Sequence, residues 1–453
     1  MRTFQRILLP ILPIIIAAGV FASTDSKDAA PPVPLSENKC LLCHGNKDVW
    51  EGEQLRLCIT EADLAADIHW QRGLRCKDCH GGNDQTEELR SAHAEEDGFH
   101  TVKSPADIPK FCGDCHANIE YMRRYRPSPR TDQLAEYWTS DHGQRLKATA
   151  DPDVATCISC HNKPHGSAQD KNKHGIRPVT ELESPVYRSR VAQTCATCHS
   201  DQQRMKGRLY NGKPLSCEEY PKWRQSVHGK AMMEKGDLSA ATCNNCHGNH
   251  GAVPPQVGTV ANACGTCHGK VAKLFEDTQM KHKFEEVGLP GCVTCHGNHD
   301  IKRPSDEMLG MGDSAVCAKC HEKGKYGATL AGADSARLLR SKMDQLKNNI
   351  NTAEKTLNKA EQLGMEVSQP RFELRTAFDA LTNARSLIHT FQLKPVETVL
   401  DGGEKISAEV QEKADHVLQE HTDRRIWLAA TLVPILLVIA LLLLYIRSTP
   451  VAE

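Results

Sequence analysis

Between Cys40 and His321 the pattern Cys-x-x-Cys-His occurs nine times, starting at Cys40, Cys76, Cys112, Cys157, Cys195, Cys243, Cys264, Cys292 and Cys317. Two thiols three positions apart reach the two vinyl groups of one porphyrin, and the histidine that follows is placed to bind the iron from one side. Zinc ribbons and thioredoxin-like sites also use paired cysteines, but neither requires the histidine that every copy carries here. The spacing predicts nine covalent c-type haems, held by Cys40 and Cys43, Cys76 and Cys79, Cys112 and Cys115, Cys157 and Cys160, Cys195 and Cys198, Cys243 and Cys246, Cys264 and Cys267, Cys292 and Cys295, and Cys317 and Cys320. The proximal iron ligands are then His44, His80, His116, His161, His199, His247, His268, His296 and His321. These motifs use 18 of the 20 cysteines; Cys58 and Cys217 remain, as a pair or as thiols.

Such a chain is short of ordinary core material. Aromatics supply only 5% of 453 residues, and Gly, Pro, Asn and Asp are scattered through the motif region. Short helical turns at the motifs, joined by loops, are expected, with the porphyrins filling most of the interior. Folding and haem attachment are then inseparable. The 56 Lys+Arg against 57 Asp+Glu remove the basic excess that a nucleic-acid binder needs.

Nine of 22 histidines are proximal, which leaves thirteen for the opposite axial positions. A block recurs four times: a histidine, a motif, a second histidine, a second motif. The blocks are His69/Cys76/His93/Cys112, His142/Cys157/His174/Cys195, His228/Cys243/His250/Cys264 and His282/Cys292/His299/Cys317. Ser140-Asp141-His142-Gly143 and Ser226-Val227-His228-Gly229 each place the histidine 15 residues before the next motif. His250 and His299 each follow a proximal histidine by three. In the second block His165 competes with His174, and His100 is a spare beside His93. The Cys40 motif precedes the blocks, so its partner comes from elsewhere; His389 is chosen over His100, His165, His416 and His421. Methionine is the other axial option, but Met122, Met232 and Met233 fall at no repeated position.

The ends fix the compartment. Residues 1–22 read as an export signal, with Arg2 and Arg6 ahead of an apolar run of 14 positions too short to span a bilayer. Residues 23–39 follow as a linker, and 40–325 form the haem-bearing domain. From 330 to 423 heptad stripes appear: Leu339 to Ala360, Leu374 to Phe391, and Val396 to Val417, the last starting at Pro395 and weakened by Gly402-Gly403. Ile426 to Ile446 carries no charge over 21 residues, about 31 Å as a helix, enough to cross the hydrocarbon core. Residues 447–453 are then a cytoplasmic tail. The expected architecture is mainly α with extensive loops: a domain of repeated dihaem blocks, a C-terminal helical hairpin or bundle, and one transmembrane helix.

The nine motifs, the Ser-x-His-Gly segments and the helical C-terminus resemble the periplasmic multihaem cytochromes c, a superfamily that includes class III cytochromes and hydroxylamine oxidoreductase. The resemblance is specific over residues 40–321 and general beyond them. It implies electron transfer in respiration, on the periplasmic side of a bacterial inner membrane, with membrane oxidoreductase subunits, periplasmic cytochromes or reductases as partners. Catalytic relatives replace one proximal histidine by lysine or cross-link a tyrosine from the helical part. Here all nine motifs end in histidine, and no tyrosine lies between Gly327 and Leu444. An electron carrier is therefore expected, with no catalytic residues; the competing reading is a reductase or oxidase of small nitrogen or sulfur compounds with one five-coordinate haem.

Overall fold

The computed structural model describes residues 38–162, 175–254 and 260–448. The export signal, most of the linker, His165, His174 and the last five residues lie outside the described residues. The fold is helical with long loops; among the described residues the only ladder is the two-stranded pair Leu209–Tyr210 and Lys213–Pro214. Chain contacts define two compact units, one formed by residues up to 132 with 150–187, the other by 133–149 with 188 onward. The first carries four motifs and the second five.

Most motifs sit on a short helix, such as Cys76–His80, Cys157–His161 and Cys243–His247, whereas the helix Val260–Gly265 covers only the start of the Cys264 motif. Local polar side chains start these turns. Thr156 and Ser159 form a reciprocal cap, as do Thr242 and Asn245, so backbone amides that a helix of one turn leaves open are satisfied. The loops between them bury little. Among the described residues, 40–325 contain thirteen buried apolar side chains, against eighteen in the much shorter stretch 330–423.

That stretch belongs to the second unit and is a three-helix bundle of Leu330–Gln362, Ser368–Leu387 and Leu393–Ser448. The first stripe is buried in full, Leu339, Met343, Leu346, Ile350, Ala353, Leu357 and Ala360 all facing the core. Lys342 pairs with Asp401 at 2.5 Å and Gln411 donates to Thr356 at 3.1 Å, so the first and third long helices run parallel. Lys413 reaches Glu373 at 2.5 Å, so the second runs back between them. The bundle end nearest the motifs is held by Asp306, which accepts two hydrogen bonds from Arg385 at 2.8 and 2.7 Å. The Arg385 guanidinium holds that carboxyl below its ordinary range. Leu309 packs on the bundle core, and the Phe275 ring lies 6.0 Å from that of Phe391.

Gly402-Gly403 does not weaken the third helix as the sequence suggests. Gly403 is buried where the three helices approach most closely, and an added Cβ would lie 2.8 Å from Leu346 Cδ2 and 2.9 Å from Ala380 Cβ. Close packing at this layer more than offsets the propensity cost of glycine. Gly403→Val should therefore destabilise the bundle by about 1–3 kcal/mol through overpacking. Thermal unfolding followed by far-UV dichroism measures it; an unchanged melting temperature would place the helices further apart than described.

The third helix continues without interruption from Leu393 to Ser448 and includes Pro434. Its apolar part has a mean hydropathy of 2.8 with none of that window buried, and Trp427, Val433 and Ile446 are each more than 60% exposed. A helix apolar on every side and packed on nothing is long and greasy enough to cross a membrane.

Candidate haem-binding site

The structure brings proximal and candidate distal histidines together in pairs. Ring centroids lie 6.1 Å apart for His44 and His93, 5.9 Å for His69 and His116, and 6.0 Å for His142 and His199. They lie 6.2 Å apart for His228 and His268, 6.0 Å for His247 and His299, and 6.1 Å for His296 and His389. A metal–imidazole bond is about 2 Å and the ring centre lies roughly 1 Å beyond the nitrogen, so two imidazoles on opposite sides of one metal stand roughly 6 Å apart. The six spacings fit a shared metal. Two imidazoles do not complete a coordination shell, and among the described residues no group of three or more His, Cys, Asp and Glu side chains could hold a bare ion. A porphyrin tethered by the adjacent cysteines would supply the remaining donors.

Ring orientation is set by the backbone. Nδ1 of His44 donates to Leu57 O at 3.0 Å, that of His93 to Leu89 O at 2.8 Å, and that of His389 to Ser386 O at 3.0 Å. A carbonyl only accepts, so the proton resides on Nδ1 and the Nε2 lone pair is left for a metal. Asp67 Oδ1 does the same for His69 at 3.1 Å. Burial acts on a second set of rings, favouring their neutral form. It lowers His142 to about 4, helped by the neighbouring His199, and it also lowers His199, His228, His247, His296 and His299. Neutral imidazole is the ligating form.

The Ser-x-His-Gly segments now have a physical reason. Ser226 Oγ accepts from Gly229 N at 3.1 Å and Ser140 Oγ from Gly143 N at 2.9 Å, capping the helix on whose first turn the histidine stands. A Cβ at Gly143 or Gly229 would lie 2.0 or 2.1 Å from the carbonyl oxygen of Tyr137 or Trp223. Only glycine lets the preceding helix come that close.

The pairing is interlaced. The first histidine of a block faces the second motif of the same block, as His69, His142 and His228 do. The second steps back beyond its own block in the two cases seen, His93 to His44 of the Cys40 motif and His299 to His247 of the third block. The vacancy therefore falls at the far end of the series and not at Cys40. His389 faces His296 of the Cys292 motif, and His44, assigned to His389 from sequence, faces His93 instead.

The remaining candidates have the following surroundings. His100 donates from Nδ1 to Gly98 O at 2.9 Å, and its ring lies 5.8 Å from Phe111. His250 Nδ1 is 3.6 Å from Glu136. His282 has a 70% exposed side chain, 4.0 Å from Glu285. His416 lines a polar groove on the bundle with Asn349, Thr352 and Gln411. His321 Nδ1 donates to Thr329 O at 2.8 Å.

Sulfurs of successive motifs also meet. In the bare polypeptide the first thiols hydrogen-bond in pairs: Cys40 with Cys76, Cys112 with Cys157, Cys195 with Cys243, and Cys264 with Cys292. The bond from Cys76 draws Cys40 down to about 7, and that from Cys264 does the same to Cys292. Burial pushes the second thiols Cys79 and Cys295 up to about 11. As thioethers the same sulfurs would keep this adjacency.

Residues 237–322 match the family model described as cytochrome c3. The matched segment contains the last four motifs, and the match supports a multihaem, c-type haem-binding electron-transfer cytochrome. No curated protein and no solved structure matches the chain.

Proposed function

We propose that the chain is a membrane-anchored c-type cytochrome with nine haems, which carries electrons between a membrane oxidoreductase or quinone-linked complex and redox partners on the exported, periplasmic side. The observation that carries this reading is the set of six imidazole pairs at 5.9–6.2 Å. Bound haem supplies one-electron chemistry, with potentials set by its axial ligands. The protein's part is to fill both axial positions, so that no small molecule reaches the iron, and to fix rings such as His44, His69, His93 and His389 through their Nδ1 hydrogen bonds. The second task is proximity. Sulfur contacts between motifs one and two, three and four, five and six, and seven and eight support attachment of neighbouring porphyrins side by side. The apolar C-terminal helix supports membrane attachment, and the export signal read from residues 1–22 supports the periplasmic side.

Carbon monoxide tests the reading. The dithionite-reduced holoprotein should show no stoichiometric binding at the six paired sites. In His228→Gly one haem equivalent should bind carbon monoxide, because His268 then faces an empty position. A parent protein in which one paired haem already binds it fully would replace the carrier with an enzyme that has an open iron.

A further inference from the structure

Three first-position histidines share one local frame. A buried apolar residue, Leu64, Tyr137 or Trp223, is followed three residues later by a capping side chain, Asp67, Ser140 or Ser226. The cap's backbone amide donates to the carbonyl of the buried residue, Asp67 to Leu64 at 3.0 Å, Ser140 to Tyr137 at 3.0 Å and Ser226 to Trp223 at 2.9 Å. Two residues after the cap stands the histidine, and each of these histidines faces the proximal histidine of the second motif in its block.

The fourth block has the same frame. Phe275 is 6% exposed, and Thr278 donates to its carbonyl from the amide at 3.2 Å and from Oγ1 at 2.8 Å. Thr278 Oγ1 in turn accepts from Lys281 N at 3.1 Å, as Ser226 accepts from Gly229. Lys281 stands where the second and third blocks have glycine, and the first block has Trp70 there. Two residues after Thr278 comes Met280, not His282.

Helix geometry separates the two candidates. On Gln279–Glu286, His282 is two positions beyond Met280, nearly the opposite side of the helix, and its side chain is 70% exposed beside Glu285. Lys283, three positions after Met280 and on its face, comes to 3.9 Å from where a Cβ on Gly327 would lie. Gly327 belongs to the turn that follows the ninth motif, between His321 and the Thr329 carbonyl that orients the His321 ring. The face carrying Met280 is thus turned toward the ninth motif.

We infer that Met280 is the axial ligand opposite His321, so that the Cys317 haem has histidine–thioether coordination while the paired sites have two imidazoles. This rests on the haem-loaded reading above. A thioether is a weaker donor to ferric iron than imidazole and raises the potential. The last site of the series then stands above the paired sites in potential, and electrons entering the chain collect there.

The oxidised full-length holoprotein should show the weak far-red sulfur-to-iron charge-transfer band at an intensity of one haem per chain. Met280→Leu should abolish that band, and Met280→His should abolish it and remove the highest-potential component of a redox titration. His282→Ala should leave both unchanged. A parent protein without the band, a band that survives Met280→Leu, or a new carbon monoxide site in His282→Ala would overturn the assignment. The pyridine haemochrome count separates the two readings: nine covalent haems without the band removes Met280 alone, whereas a count of six or fewer removes the multihaem reading with it.

Discussion

Produced without haem attachment, the chain should keep its bundle and lose the rest. Among the described residues the motif region has thirteen buried apolar side chains and the bundle eighteen over about a third of the length, so the former should not offset its conformational entropy without porphyrin. Each histidine pair, if joined by one iron, would also link segments distant in sequence, for example His142 with His199 and His296 with His389. Without iron these closures disappear together. Hydrogen exchange of the haem-free protein should show full protection lost across residues 40–325 and retained from about 335 to 415, a contrast of several kcal/mol in local opening free energy. Protection of the motif region at holoprotein levels would mean that side chains alone make its core.

Ending the chain after Thr422 should move it completely from the membrane to the soluble fraction with its haem count unchanged. Hydrophobic transfer of the sixteen large exposed apolar side chains between Ile426 and Ile446 dominates the partition. Fractionation after a high-salt wash is the measurement. A truncated protein that stays with the membrane would make the N-terminal apolar run an anchor and not a removed signal.

How much of this was legible beforehand divides along physical lines. The heptad stripes from Leu339 to Ala360 and from Leu374 to Ala384 appear as buried faces because helical periodicity is local and one-dimensional. Bundle direction was less accessible, since the parallel course of the first and third helices follows from the second passing between them. At the site, the histidine blocks could be counted, but their interlacing could not. Repetition reveals which residues recur together, whereas His93 reaching back to His44 depends on how the chain doubles on itself. Met280 was missed for a related reason. Histidine spacing does not expose it, because the recurring element is the frame of buried residue and cap, in which Phe275 and Thr278 correspond to Trp223 and Ser226. Glycine was misjudged at Gly403 because propensity scales do not include a neighbouring helix.

The third helix leaves the turn beside His389 and reaches Ile426 without a break, a rise of about 50 Å at helical pitch. With its apolar end in a bilayer, this strut fixes the altitude of the His296–His389 site. Tunnelling decays exponentially with separation, so a carrier dissolved among lipid tails has no direct exchange with that site. Electrons bound for it arrive through another haem or from a water-borne protein. The length of one helix thereby selects who can deliver charge to this end of the molecule.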